Sequence, residues 1–220
     1  LVLHFHSFVR AKGRHSAPYI VVVRFLFKQN RSPPAHRSTN DGAMHRLFVA
    51  LRPSTALRRH CLDAIAGGPP GWAWQREEQL HVTLRFIGEV ERPLAEDIAA
   101  ALGSIRAPSV ELGLHGVGFF DQGAHGVLFA RAVPRGPLEA LHKKVDRALF
   151  SVGLAQDRRA FLPHITLARR RRAATDPATW LEAHASLSAP AEPVGEFILF
   201  ESRLGHDGAH YEPVASYPLG

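Results

Sequence analysis

The chain of 220 residues has one cysteine and one methionine, and none of its apolar runs approaches the roughly 20 residues a bilayer-crossing helix needs. A lone Cys61 excludes a disulfide framework and points to a reducing, cytoplasmic setting with no membrane contact. The sequence also lacks an H-E-x-x-H zinc motif, despite its 14 histidines, and has no G-x-x-x-x-G-K-[ST] or G-x-G-x-x-G loop. Neither a metal nor a nucleotide cofactor is therefore indicated. Net positive charge is lacking over most of the length. The first 43 residues hold seven Lys/Arg against Asp41 alone, which accounts for six of the seven net positive charges of the chain. The remainder is close to neutral, so net charge gives no argument for nucleic-acid binding by the body.

Charge and composition divide the chain in two. Residues 28–43 are polar and rich in Pro, Ser and Asn, as a disordered linker would be. Met44 stands directly before the first strand-like run. The expectation is that residues 1–43 are a basic, disordered leader or misassigned upstream sequence, rather than a targeting peptide or a nucleic-acid-binding arm. The natural start is then Met44, and residues 44–220 form one domain with a single core.

Two tetrapeptides dominate that domain, His81-Val82-Thr83-Leu84 and His164-Ile165-Thr166-Leu167. Side chains alternate faces along a strand. Each histidine should share a face with its threonine, while Val82, Leu84, Ile165 and Leu167 point to the core. The tetrapeptides sit in a longer repeat. Leu47 to Pro53 and Leu128 to Pro134 are strand-like runs ended by proline, lying 34 and 36 positions ahead of the two histidines. Between run and motif lie helical stripes, Leu57, Cys61, Ala64 and Ile65 in one copy and Leu138, Leu141, Val145, Leu149 and Val152 in the other. A further strand-like run follows each motif, from Val110 and from Val194. Each copy reads as strand, helix, motif strand and further strand.

Histidine, with an ordinary pKa of about 6.5, can give or take a proton near neutral pH. A pair can divide the work, one imidazole relieving a nucleophile of its proton while the other protonates a leaving group. Threonine hydroxyls are neutral donors suited to the non-bridging oxygens of a phosphate. In-line displacement at phosphorus needs the attacking and leaving oxygens on opposite sides. Two matched His/Thr pairs meet that need without a metal.

The paired motifs resemble those of the two-histidine phosphoesterase superfamily, and within it the LigT-like RNA 2′,3′-cyclic phosphodiesterases. Four separated segments carry the resemblance in order: Arg46 to Leu51, Leu80 to Val90, Phe161 to Arg169, and Phe197 to Leu204. It covers 44–220 and none of 1–43. It implies an α+β, bilobal, pseudo-two-fold duplicated fold, with two antiparallel sheets facing a central cleft and helices packed outside. It implies hydrolysis of an RNA-terminal 2′,3′-cyclic phosphate to a 2′-phosphomonoester, with reversible 2′-5′ RNA ligation as an accompanying activity. His81 would be the proton donor and His164 the proton acceptor, with Thr83 and Thr166 on the phosphate oxygens. The partners would be RNA ends or oligonucleotides bearing the cyclic phosphate, bound by a monomer with no obligate protein partner. Two alternatives stay open, a phosphodiesterase acting on small cyclic or 2′,5′-linked nucleotides and a non-catalytic RNA-end binding module.

Arg169 is placed where a cation could reach the phosphate, but it is five positions beyond His164. Strict alternation puts it on the opposite face unless the strand bends or ends there. Arg170, Arg171 and Arg172 read as a solvated loop that could also steer an RNA backbone. Trp72 and Trp74 should share one face and pack. Phe48, Phe86 and Tyr211 are expected in the core, or as base-stacking rings if they face the cleft. His206 and His210 flank Asp207-Gly208, a turn rather than a metal-ligand pair.

Overall fold

The computed structural model describes residues 44–121, 123, 126–205 and 208–220. The expectation for residues 1–43 lies outside the described residues. The order of elements is β1 (Met44–Leu51), α1 (Thr55–Ala66), β2 (Trp72–Trp74), β3 (Val82–Glu91), α2 (Arg92–Gly103), β4 (Val110–Phe120), β5 (Val127–Val133), α3 (Arg135–Ser151), β6 (His164–Arg170), α4 (Ala178–Ala183), β7 (Ser188–Val194), β8 (Glu196–Gly205) and β9 (Gly208–Pro218). The fold is α+β and strand-rich, as expected.

Local sequence accounts for the elements that carry the repeat. Pro53 follows β1, and Ser54 then caps α1 by accepting the Leu57 N–H at 3.1 Å. Of the two expected stripes, Leu57, Cys61 and Ala64 are buried from α1, and Leu138, Leu141, Val145 and Leu149 from α3. Burial pushes the Cys61 thiol up to about 12, so it is packing rather than a nucleophile. Two helices fall where the repeat shows only spacing. α2 and α4 each follow a motif strand, and α2 buries Ala95, Ile98, Ala99 and Leu102.

All strand pairings are antiparallel, in the order β7-β4-β5-β6-β3-β1-β8-β9, with β2 added beside β6. The two expected sheets are the two ends of this series. Half one is β3-β1-β8-β9 and half two is β7-β4-β5-β6. The single pair Val82–Ile165 joins them. The further strand of each copy crosses over: β4 follows β3 in sequence but pairs with β5, and β8 pairs with β1. Each half therefore contains strands from both copies.

One large apolar cluster draws on both halves and on the inner faces of α1, α2 and α3. A second, small cluster lies on the opposite face of half one and comprises Phe48, Ala50, Ile198 and Phe200, with Tyr211 packed against it. This face carries the first motif.

Candidate active site

The Val82–Ile165 pair sets the geometry of the site. Both side chains are fully buried on the core side. Carrying this antiparallel register one residue either way sets His81 opposite Thr166 and Thr83 opposite His164. Residues opposite each other in antiparallel strands have Cβ atoms about 5 Å apart. The two motifs thus lie side by side, related by a pseudo-two-fold axis through their middle residues, with both His/Thr pairs on the face away from the core.

The ring orientations are held alike. His81 Nδ1 lies 2.7 Å from the carbonyl of Gln79, and His164 Nδ1 lies 2.6 Å from the carbonyl of Leu162, in each case two residues upstream. A carbonyl only accepts, so Nδ1 carries the hydrogen in both rings. The other ring nitrogen, Nε2, offers a lone pair when the ring is neutral and a donor when it is protonated. Gln79 is itself fixed. Its side-chain oxygen accepts from the Arg76 N–H at 2.8 Å, and its amide donates to the Ala209 carbonyl at 2.8 Å.

Each histidine also packs on an equivalent phenylalanine. Phe48 of β1 lies 5.0 Å from the His81 ring and Phe129 of β5 lies 5.2 Å from that of His164. Tyr211 closes on His81 at 5.1 Å, and Phe120 on His164 at 5.1 Å. Phe48 and Tyr211 thus face the first motif rather than the main core. Phe129 and Phe120 were not singled out from sequence. Phe129 was legible there, because it occupies the same place in the second strand-like run as Phe48 in the first.

Burial lowers both histidines. His81 is pushed down to about 4, with burial the main cause, countered by the Gln79 hydrogen bond and reinforced by the charges of Arg169, His164 and Arg52. His164 is lowered by burial, again countered by its backbone hydrogen bond and reinforced by Arg169. Both imidazoles are therefore neutral at pH 7 in the ligand-free protein.

Arg169 lies on the site face, and a β-bulge is the reason. On β6, Thr166 pairs with Phe129 and Ala168 with Leu128, which leaves Leu167 as an extra residue. Leu167 and Ala168 are both buried on the core side, and the alternation resumes one position late. The exposed Arg169 comes back to the face of His164 and Thr166. The first motif has the same bulge. Thr83 pairs with Ala50 and Arg85 with Val49, leaving Leu84 unpaired.

The neighbouring arginines play other parts. Arg170 binds Asp121 at 3.1 Å and the Gly123 carbonyl at 2.7 Å, and its guanidinium lies over Phe119 and Trp72. It is a structural clamp, while Arg171 and Arg172 are exposed. Trp72 and Trp74 pack as expected, donating their indole N–H groups to Thr175 and Pro69 carbonyls. Phe86 is exposed, with the Arg46 guanidinium 5.2 Å from its ring centre, so it is not a core residue. His210 is an exposed residue near the start of β9, whereas His206 lies outside the described residues. Among the described residues no three His, Cys, Asp or Glu side chains gather as metal ligands, and no helix is long and apolar enough to cross a membrane.

A duplicated antiparallel α+β fold carrying two H-x-T strands about a pseudo-two-fold axis defines a class, and comparison with known proteins agrees with it. The profile of the 2′-5′ RNA ligase superfamily matches residues 51–203, and the chain belongs to that superfamily. It is similar to the RNA 2′,3′-cyclic phosphodiesterase of Escherichia coli, 31% identical over an alignment of 180 residues that covers 79% of this chain and 96% of that one. It is also similar to the protein of the same name from Geobacillus stearothermophilus, 29% identical over 183 residues, though there it spans only 56% of the relative's length. Among solved structures, that of Escherichia coli LigT complexed with 3′-AMP superposes with a TM-score of 0.66 at 28% identity, covering 80% of this chain and 99% of that one.

Proposed function

We propose that this chain is an RNA 2′,3′-cyclic phosphodiesterase that opens a terminal cyclic phosphate to a 2′-phosphomonoester through its two histidines. The observation that carries this reading is the Val82–Ile165 register, which sets two Nδ1-anchored imidazoles and two threonines around one point. The names of the relatives support the substrate class.

In this reading His164 Nε2 takes a proton from water as its oxygen attacks phosphorus. The bond from phosphorus to the 3′ oxygen breaks, and His81 Nε2 delivers the proton that the departing oxygen needs. Thr83 and Thr166 donate to the non-bridging oxygens, and Arg169 balances their charge. His81 is neutral in the free protein, so its protonated form arises on binding, when the phosphate anion favours the imidazolium. With a 5′-hydroxyl in place of water as the nucleophile, the same ring opening would form a 2′-5′ linkage, the 3′ oxygen again leaving with the proton from His81. Residues 44–220 form the working unit, acting as a cytoplasmic monomer without metal.

The test is an oligonucleotide ending in a 2′,3′-cyclic phosphate, with the product isomer identified for the parent, His81→Ala and His164→Ala. The expected result is a 2′-phosphate, no effect of EDTA, and a loss of about 10²–10⁴-fold in kcat for each variant. A 3′-phosphate product would reverse the proposed leaving group. Faster turnover of nucleoside 2′,3′-cyclic monophosphates than of the oligonucleotide would favour a small-molecule substrate. No turnover, with unchanged binding by both variants, would leave a binding module.

A further inference from the structure

The two motif bulges are equivalent in position, but their carbonyls are satisfied by different groups. A bulge residue has no partner in its ladder, so its carbonyl must find one elsewhere when buried. In the second motif the Leu167 carbonyl accepts the backbone N–H of Gln75 at 2.8 Å, from the segment just after β2. In the first motif the Leu84 carbonyl accepts from a side chain, Nδ1–H of His142 on α3, at 2.7 Å. His142 is buried, 8% exposed, on the core side of the sheet. Its ring stacks on Phe161 with centroids 4.2 Å apart and planes 4° from parallel. Phe161 is next in sequence to Leu162, the residue whose carbonyl holds His164 Nδ1.

One imidazole on the core side of the sheet thus touches the frames of both motifs, through its N–H on the first and its ring face on the second. The contact is reinforced one helical turn on. Arg85, next to the bulge, pairs with Asp146 of α3 at 3.0 Å and with Asp157 at 3.1 Å. It also donates to the Ala155 carbonyl, in the segment that leads towards His164. α3 is therefore fastened to β3 at two points, four residues apart.

We propose that His142 is a positioning residue for both motifs. Its N–H fixes the Leu84 bulge behind Thr83 and His81, and its stacked ring fixes the approach to His164. This rests on the catalytic reading of the two motifs given above. A misplacement of the order of 1 Å at a catalytic group can cost about 100-fold, so a group that sets their separation should act on kcat more than on KM.

Two substitutions separate its two contacts. His142→Phe keeps a ring on Phe161 and removes the donor, while His142→Asn keeps a donor and removes the ring. For each folded variant, kcat and KM on the cyclic-phosphate oligonucleotide are measured together with NMR titration of the Cε1–H signals of His81 and His164. His142→Phe should lower kcat about tenfold or more with KM within twofold, displace the His81 titration and leave that of His164 in place. His142→Asn should do the converse, displacing His164 and sparing His81. If His142→Phe fails to fold, a displaced His164 titration in His142→Asn supports the proposal and an unmoved one overturns it. Unmoved titrations in both variants, with kcat per folded molecule at the parent value, would reduce His142 to a packing residue and overturn the proposal. If the parent itself turns over no substrate, the catalytic reading fails and the titrations still decide whether His142 positions the motifs.

Discussion

Arg169 and His164 share a face of β6 although five positions separate them, because Leu167 is inserted between them as a bulge. The guanidinium lowers both His81 and His164 through its charge. Arg169→Met keeps the stem and removes the charge, and both histidine pKa values should rise in the ligand-free protein. KM for a cyclic-phosphate oligonucleotide should rise about tenfold, since charge-assisted hydrogen bonds contribute on the order of 1.5–3 kcal/mol. NMR titration and steady-state kinetics would check the two effects, and unchanged pKa values would remove Arg169 from the site.

The pH dependence of kcat/KM reports the free protein. The proton acceptor must be neutral, so the rate falls as pH drops through its pKa. The donor must be protonated, so the rate falls as pH rises through its own. His81 lies at about 4 and His164 lies below its ordinary 6.5. Both limbs of the bell should therefore lie on the acid side of pH 6.5. In kcat the phosphate is bound, and the bell should move to higher pH. A basic limb of kcat/KM above pH 7 would contradict the assignment of both roles to these histidines.

Stability should carry the mark of His81 as well. Its folded pKa lies below its unfolded one, so the unfolded chain binds more protons between about pH 4 and pH 6.5, and stability is lost as pH falls through that window. His81→Gln removes the proton uptake. Urea titrations at pH 7.0, 5.5 and 4.5 should show a smaller loss of stability on acidification for the variant than for the parent. Equal losses would mean that the ring is not held neutral by folding.

Gly118 on β4 leaves room for the ring that backs His164. A Cβ there would stand 2.4 Å from Phe129 Cζ. Phe129 cannot swing away freely, because Phe120 stacks on it at 4.1 Å and His164 packs at 5.2 Å. Gly118→Ala should cost about 1–3 kcal/mol, as overpacking does. It should also lower kcat in the fraction that remains folded. Thermal melts and turnover measured on the same sample would check both.

Much of this was legible in the chain because the duplication writes each signal twice. The H-x-T pairs, the strand runs ending at Pro53 and Pro134, and the stripes of α1 and α3 needed only local periodicity. The bulges were not legible. Leu84 and Leu167 look like ordinary core residues of an alternating strand, and only pairing with β1 and β5 reveals the inserted position. That is why strict alternation puts Arg169 on the wrong face. His142 was hidden for a related reason, lying beside Leu141 within the α3 stripe, where a polar residue attracts no notice until its Leu84 partner is known. The crossing of β4 and β8 joins residues about 150 positions apart for β1 and β8, beyond the reach of any window along the sequence.

That crossing also bears on how the chain can be divided. A cut in the connection between β4 and β5 separates β1 to β4 from β5 to β9. Each fragment would own one complete motif, yet half one would still need β8 and half two would still need β4. Neither fragment inherits a finished sheet, so the pieces are complementary rather than autonomous. Activity returning when the two are mixed would show that the exchanged strands, β8 on β1 and β4 on β5, pair as well between separate chains as within one.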